Sequence, residues 1–342
     1  MHLVVRRMLR IFQRYSYLGR CLTLIFLLCL FSWLSLFSWS IIPISGQQAF
    51  SALLNPDRNI IAHSIVLDLR LPRVFIGSVV GACFAVAGAI MQGLTRNPLA
   101  SPSVLGVNAG AALGMATLTV LAPSFSLFGT SVAAILGGAI TWSLVMFLGS
   151  AWRGGNEYGR LVLAGVAISA LCASLTKAII ILHEDQAIAV LTWLAGSLGN
   201  ARWGDWQQFW PMALFGLVGA QLMTPTLNLL NLGEDSARNL GVELGWARMI
   251  CSLLVLVLAG AALSVAGSIA FIGLLVPHIA RLFVGQDYRK ILPVAAILGA
   301  LLVVMADLVS RMIIFPLETP VGAILALIGA PFFIYMVSRR KI

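Results

Sequence analysis

Few residues of this 342-residue chain could do chemistry, and their types suit holding charge rather than transferring it. The lysines Lys177, Lys290 and Lys341 follow Thr176, Arg289 and Arg340. A Gly-Lys-Ser/Thr phosphate cradle is therefore impossible, and the chain cannot bind and hydrolyse ATP in that manner. Among the histidines, His2 and His63 fall in terminal or polar segments, His278 follows Pro277, and His183 precedes Glu184 and Asp185. That last trio has the donor types of a metal site, but at the end of an apolar run it reads as a solvated loop. Cys21, Cys29, Cys83, Cys172 and Cys251 lie inside apolar stretches without zinc-ligand spacing, and read as buried apolar residues. Asp307 is the best candidate for an acid inside a membrane span, and such groups mark ion or proton paths. Arg311 lies one helical turn further on the same face, so a structural pair is the simpler reading. A proton-coupled carrier usually needs more than one such group. No catalytic, cofactor-binding or metal-ligating residue is predicted.

The elements that hold these residues belong in a bilayer. The chain is 60% hydrophobic and 10% charged, whereas a soluble domain is roughly 45–50% apolar and about 25% charged. Its net charge of +10 would suit nucleic acid, but the basic residues sit between apolar runs and not along one face, so no nucleic-acid partner is expected. A span needs about 20 apolar residues. Ten candidates lie near 22–42, 74–94, 104–122, 126–148, 161–182, 209–230, 249–268, 269–285, 291–314 and 321–337. At about 1.5 Å per residue the run 249–284 is far longer than a bilayer is thick. It must turn, with Gly267, Gly273 and Pro277 the predicted places. The first run exceeds the roughly 7–15 residues of a signal-peptide core and lacks a small-x-small site, so it is read as a span.

Orientation follows the Lys and Arg bias. Arg6, Arg7, Arg10, Arg14 and Arg20 precede the first span, and Arg339, Arg340 and Lys341 follow the last. Both termini are predicted cytoplasmic, which ten spans satisfy. Arg96, Arg153, Arg160, Arg238, Arg248, Arg281, Arg289 and Lys290 then also fall inside, against Arg58, Arg70, Arg73, Lys177, Arg202 and Arg311 outside. Small residues at Gly77, Gly81, Ala85 and Gly88, and again at Gly106, Gly110 and Gly114, predict close helix approach in the second and third spans.

Four separated blocks carry a resemblance. The first runs from Arg70-Leu-Pro-Arg73 through Gln92 and Arg96-Asn97-Pro98-Leu99-Ala100 to Gly106, Asn108 and Gly110. The second is Leu191-Thr-Trp193-Leu-Ala-Gly196-Ser197-Leu with Trp203 and Trp206. The third is Leu232-Gly233-Glu234-Asp-Ser-Ala237-Arg238-Asn-Leu240-Gly241-Val242. The fourth runs from Ala266-Gly267 through Phe271, Gly273, Pro277-His278, Arg281, Asp287, Leu292-Pro293, Gly299, Asp307 and Arg311 to Glu318-Thr-Pro320 and Ala330-Pro331-Phe332. In this order the blocks resemble the membrane permeases of bacterial iron–siderophore and cobalamin ATP-binding-cassette importers. The wording around Trp193–Trp206 and Leu229–Leu232 is most similar to the ferric-dicitrate branch.

The resemblance implies an all-α integral membrane protein with ten transmembrane helices, the type II ABC importer permease fold. It is a single domain over 1–342, with a cytoplasmic tail 1–21 and a coupling loop 231–248. It implies a bacterial inner-membrane location among lipid, a second permease subunit (identical or homologous), two ABC ATPase subunits, a periplasmic substrate-binding protein and an iron-chelate substrate. ATP hydrolysis then belongs to the partner.

Gly233, Glu234, Ala237, Arg238, Leu240 and Gly241 mix charge with apolar residues in a short piece that suits a partner's groove, and the family couples to its ATPase there. Arg70, Arg73 and Arg311 fall at outer span ends. The family receives acidic residues of the binding protein there, which guanidinium forks suit; interfacial snorkelling is the alternative. The family sets Trp193, Gly196 and Ser197 near the periplasmic gate, although tryptophans also anchor at interfaces. Arg96-Asn97-Pro98 reads as a turn, and Pro277-His278 as a kink. Other readings are a cobalamin or haem importer permease of the same family, a secondary transporter or channel without an ATPase, and a non-transporting membrane scaffold.

Overall fold

Hydrocarbon offers no water to pair backbone N–H and C=O groups, so an apolar run that crosses it closes its hydrogen bonds within itself as a helix. The computed structural model describes residues 16–121, 127–150 and 157–339, and all regular structure among them is helical. Six helices are long and apolar enough to cross: α1 (Tyr17–Phe37), α3 (Ile61–Thr95), the Val132–Gly149 part of α5 (Leu127–Ser150), the Arg160–Leu182 part of α6 (Glu157–Leu182), α11 (Leu244–Ala266) and α13 (Tyr288–Ile313). A seventh candidate is a pair bent by 48° at Met223, α8 (Trp203–Leu222) with α9 (Thr224–Leu232). Shorter apolar helices are α4 (Val107–Leu121), α12 (Ile272–Val284) and the Val321–Ile334 part of α14 (Val321–Arg339). The remaining α-helices are α2 (Gly46–Leu54), α7 (Glu184–Ala195) and α10 (Glu234–Asn239), and a 3-10 turn covers Pro102–Leu105.

Several expected boundaries move for physical reasons. The first described helix starts at Tyr17, not near 22, because the Ser16 side chain accepts from the Gly19 N–H and caps it. Arg20 therefore belongs to a helix and not to a free tail, and its Nη1 donates to the Phe283 carbonyl at the end of α12. The turn in the long run occurs over Gly267–Phe271, where both end residues take left-handed φ of 69°. Gly273 and Pro277, also expected there, lie inside α12. His63, in its polar segment, is buried: it accepts from the Asp57 N–H at 3.1 Å and meets the Ser51 hydroxyl at 2.9 Å. Arg6, Arg7, Arg10, Arg14, Arg153, Arg340 and Lys341, which carry much of the orientation expectation, lie outside the described residues.

The core is organised around α3, whose small-residue face meets two other backbones. A Cβ on Gly81 would overlap the Gly299 carbonyl of α13, and one on Gly88 would overlap the Gly273 carbonyl of α12. Gly110 and Gly114 of α4 press similarly on Gly137, Ala133 and Thr141 of α5. Lipid supplies no hydrophobic drive between helices, so such close packing supplies the association. Gly81→Val is expected to force α3 and α13 apart at a cost of about 1–3 kcal/mol or more. The thermal midpoint of the detergent-solubilised protein reports it; a wild-type midpoint would contradict this packing.

Pro277 has no N–H for the Gly273 carbonyl one turn earlier. The buried Gln92 of α3 fills that gap, its Nε2 donating to Gly273 O at 3.3 Å and Leu274 O at 3.2 Å.

Candidate functional site

The structure gathers the charged residues at the two ends of the α3–α13 pair. Arg70 and Arg73 lie within α3, where its π-helical stretch Ile65–Arg70 passes into the α-helical part Leu71–Thr95, and Asp307 and Arg311 lie in the last two turns of α13, so the packing of the two helices brings them together. Arg73 donates through Nε to Asp307 Oδ1 at 2.8 Å, while its Nη1 lies 2.8 Å from Glu318 Oε2. Arg311 meets the other Asp307 oxygen at 2.9 Å, donates to the Ser35 carbonyl at 3.1 Å and bonds the Ser35 hydroxyl. Arg70 donates to the carbonyls of Ser35, Ser38 and Trp39 at 3.0–3.2 Å, closing the end of α1. Exposure is 9% for Arg70, 8% for Arg73, 1% for Arg311 and 2% for Asp307. These arginines neither snorkel nor form a free patch; each is a buried cation with internal partners, as burial of charge requires.

Above them opens a cavity of about 460 Å³ lined by Arg70, Arg73, Arg202, Arg311 and Glu318, with Trp39 and Phe315 among its walls. Four guanidinium groups against one lining carboxylate make it cationic, with Asp307 behind. Arg202 and Glu318 are its exposed charges. Sequence reasoning singled out neither, although Glu318 stands in the fourth block and Arg202 precedes Trp203.

The Trp193–Ser197 segment adjoins this end. Leu198 packs on Gly77, and Gly199 sits near the Glu318 carboxylate. Segments between helices are stitched together by backbone bonds: Ser197 N–H to Ala266 O at 3.0 Å, Ser268 N–H to Trp193 O at 3.1 Å, and Gly322 N–H to Gly196 O at 3.0 Å. Gly196 has φ of 70°, and a Cβ there would crowd the Ser268 carbonyl at 2.6 Å. The non-helical backbone is thus paired inside protein, the condition under which a bilayer tolerates it.

At the opposite end lie α9, α10 and the turn to α11. Gly233 has φ of 125° and Gly241 of 88°, framing the six-residue α10. Ala237 is buried against Leu230 and Ala247 and anchors the turn. Glu234 pairs with Arg248 at 2.7 Å. Arg238, Leu240 (61% exposed) and Trp246 (61% exposed) face outward, so the turn presents apolar and charged groups together. The Arg96 Nε donates to the Leu230 carbonyl at 3.1 Å, tying this turn to the end of α3.

Asp287 caps α13 and accepts from Asn228 at 2.8 Å and from the Arg289 N–H at 3.0 Å. The Asn228 bond first, then the Arg289 N–H, hold its carboxyl below its ordinary value of 3.8. A lowered carboxyl contributes stability above its ordinary value and loses it as pH falls through the lowered one. The stability difference between wild type and Asp287→Asn is therefore expected at neutral pH and should vanish in strong acid; thermal midpoints across that range check it.

An all-helical, multi-pass membrane protein with charge locked at one end and an amphipathic turn at the other is organised as a transport subunit. No group of His, Cys, Asp and Glu able to hold a metal occurs among the described residues. The sequence pattern of the FecCD transport family matches residues 25–339. The chain is 46% identical over 309 residues to the Fe(3+) dicitrate transport system permease protein FecC of Escherichia coli K12, covering 90% of this chain and 93% of that protein. It is 40% identical to the iron(3+)-hydroxamate import system permease protein FhuB of Bacillus subtilis, covering 92% and 82%. A solved inward-facing metal-chelate type ABC transporter superposes with a TM-score of 0.81 at 29% identity, over 95% of this chain and all of that one. The chain belongs to the FecCD transport family and has the fold of a type II ABC importer permease subunit.

Proposed function

We propose that this permease moves an iron(III) chelate, ferric dicitrate in the first instance, across the bacterial inner membrane by alternating access. It works as half of a pair of permeases, itself without catalysis. All ten apolar helical segments cross, with both termini in the cytoplasm. Two ATPase subunits engage the Gly233–Gly241 turn, and a periplasmic binding protein sits over the arginine-lined cavity, with Trp193, Gly196 and Ser197 at the gate beside it. The observation that carries the reading is the polarity of α3 and α13: one end closes under a cationic cavity, the other is tied to an amphipathic turn. Support for the cargo comes from relatives named for Fe(3+) dicitrate and iron(3+)-hydroxamate. A proton-coupled carrier fits poorly, because Asp307 is clamped between Arg73 and Arg311.

In this reading Arg70, Arg73 and Arg311 form a fixed positive floor and Arg202 the reachable rim. Reversing Arg73 would set a third acid against Asp307 and Glu318, so Arg202→Glu is the cleaner test. It places like charge against an acidic binding-protein surface and is expected to weaken docking about tenfold or more, more strongly at low salt. Binding-protein affinity for the reconstituted complex measures it; unchanged affinity at low salt would remove the docking assignment.

A further inference from the structure

One set of polar side chains takes no part in the transport roles proposed above. It forms an unbroken chain through the half of the molecule nearest the α10 turn. Asn228 of α9 accepts from the Tyr288 N–H through Oδ1 at 2.8 Å and donates through Nδ2 to Asp287 at 2.8 Å. The buried Tyr288 offers its hydroxyl to Arg281 Nη2 at 3.2 Å. Arg281 Nη1 donates to Gln92 Oε1, and the Gln92 amide pairs the carbonyls of Gly273 and Leu274 in α12.

We propose that Asn228 and Arg281 are positioning residues in a mechanical link that carries displacement of the α10 turn to the helix α12. The link rests on the reading of Gly233–Gly241 as the ATPase-facing surface. At its start, the α10 turn is one piece with α9: the Gly233 N–H bonds Leu230 O at 3.2 Å and the Ala237 N–H bonds Gly233 O at 2.8 Å. At its far end, α12 begins at Ile272, four residues after Ser268, whose N–H bonds Trp193 O. A shift of α9 therefore pulls on α13 through Asn228 and on α12 through Tyr288 and Arg281, and α12 adjoins the Gly196 crossing. Each member of the chain is held by its neighbour's side chain or backbone, so the chain moves as a unit or breaks at one bond. Such a device needs two ends that bias one shared element, and α12, with Pro277 inside it and Gln92 on its Gly273 and Leu274 carbonyls, is that element.

The test uses the permease reconstituted with its ATPase and binding protein in proteoliposomes, with radio-iron ferric dicitrate as the probe. Asn228→Asp sets two carboxylates face to face and is expected to lower chelate moved per ATP hydrolysed about tenfold. ATPase attachment and basal hydrolysis should stay at wild-type levels. The exchanged pair Asn228→Asp with Asp287→Asn restores a donor facing an acceptor and should recover most of the ratio. Tyr288→Phe keeps the buried ring, removes only the hydroxyl, and should lower the ratio severalfold in protein of normal yield. A wild-type ratio in both Asn228→Asp and Tyr288→Phe overturns the link. So does a loss in Asn228→Asp that the exchanged pair fails to recover, since a merely structural Asn228 would give that result. Loss of ATPase attachment in Asn228→Asp overturns it as well, because the residue would then support docking. Replacing Glu234 and Arg238 together by Ala tests the underlying reading separately: unchanged uptake with the ATPase bound removes that reading, and the link with it.

Discussion

Asp307→Ala is expected to yield little folded protein. Asp307 is 2% exposed and shared by two guanidinium groups, Arg73 at 2.7 Å and Arg311 at 2.9 Å. Its removal leaves Arg311, itself 1% exposed, with only the Ser35 oxygens and the Asp307 backbone carbonyl as acceptors. Breaking a buried pair by deleting one partner costs about 3–5 kcal/mol, a large part of the roughly 5–15 kcal/mol that holds a typical domain together. Here one deletion takes the buried carboxylate from two cations, leaving Arg73 only the Glu318 carboxylate. Glu318→Gln removes the other carboxylate on Arg73, but that side chain is 42% exposed, so its loss should cost about 1 kcal/mol or less. The measurement is the monodisperse fraction and thermal midpoint in detergent for both variants. A wild-type midpoint for Asp307→Ala would contradict the clamp.

The second large effect is functional. Replacing Glu234 and Arg238 together by Ala is expected to reduce chelate uptake about thirtyfold, the scale of losing an interface hot spot worth about 2 kcal/mol. Stability should hardly change. The Glu234–Arg248 pair is exposed on both sides, 34% and 40%, and such pairs contribute about 0–1 kcal/mol. The turn itself is anchored by Ala237, which the variant keeps. ATPase co-purification and ligand-stimulated hydrolysis, measured beside uptake, separate lost coupling from lost protein. Normal uptake with the ATPase still bound would sink the assignment.

Much of this was legible in the sequence because bilayer physics is severe. Apolar runs of span length had to become helices, and the glycines at 77, 81, 88, 110 and 114 announced close packing that the structure contains. The Asp307–Arg311 pair followed from spacing alone. What stayed hidden depends on contacts distant in the chain. Nothing near Arg73 says that Asp307 and Glu318 will meet it from more than 200 residues away. Nothing near Gln92 says that it will serve a carbonyl orphaned by Pro277. The bend at Met223 was invisible to hydropathy, because α8 and α9 together read as one continuous span, although Pro225 just beyond it was a local signal. Arg70, Arg73 and Arg311 were legible as a group at one end but not as buried, since burial there depends on α1 closing over them through Ser35.

The central claim is tested most directly by uptake in proteoliposomes containing this chain, its partner permease and the ATPase, with the binding protein and radio-iron ferric dicitrate outside and ATP enclosed. Accumulation that requires both enclosed ATP and the binding protein is the expected result. Accumulation that persists without ATP, or that follows an imposed proton gradient, would contradict the account of an ATP-driven chelate permease.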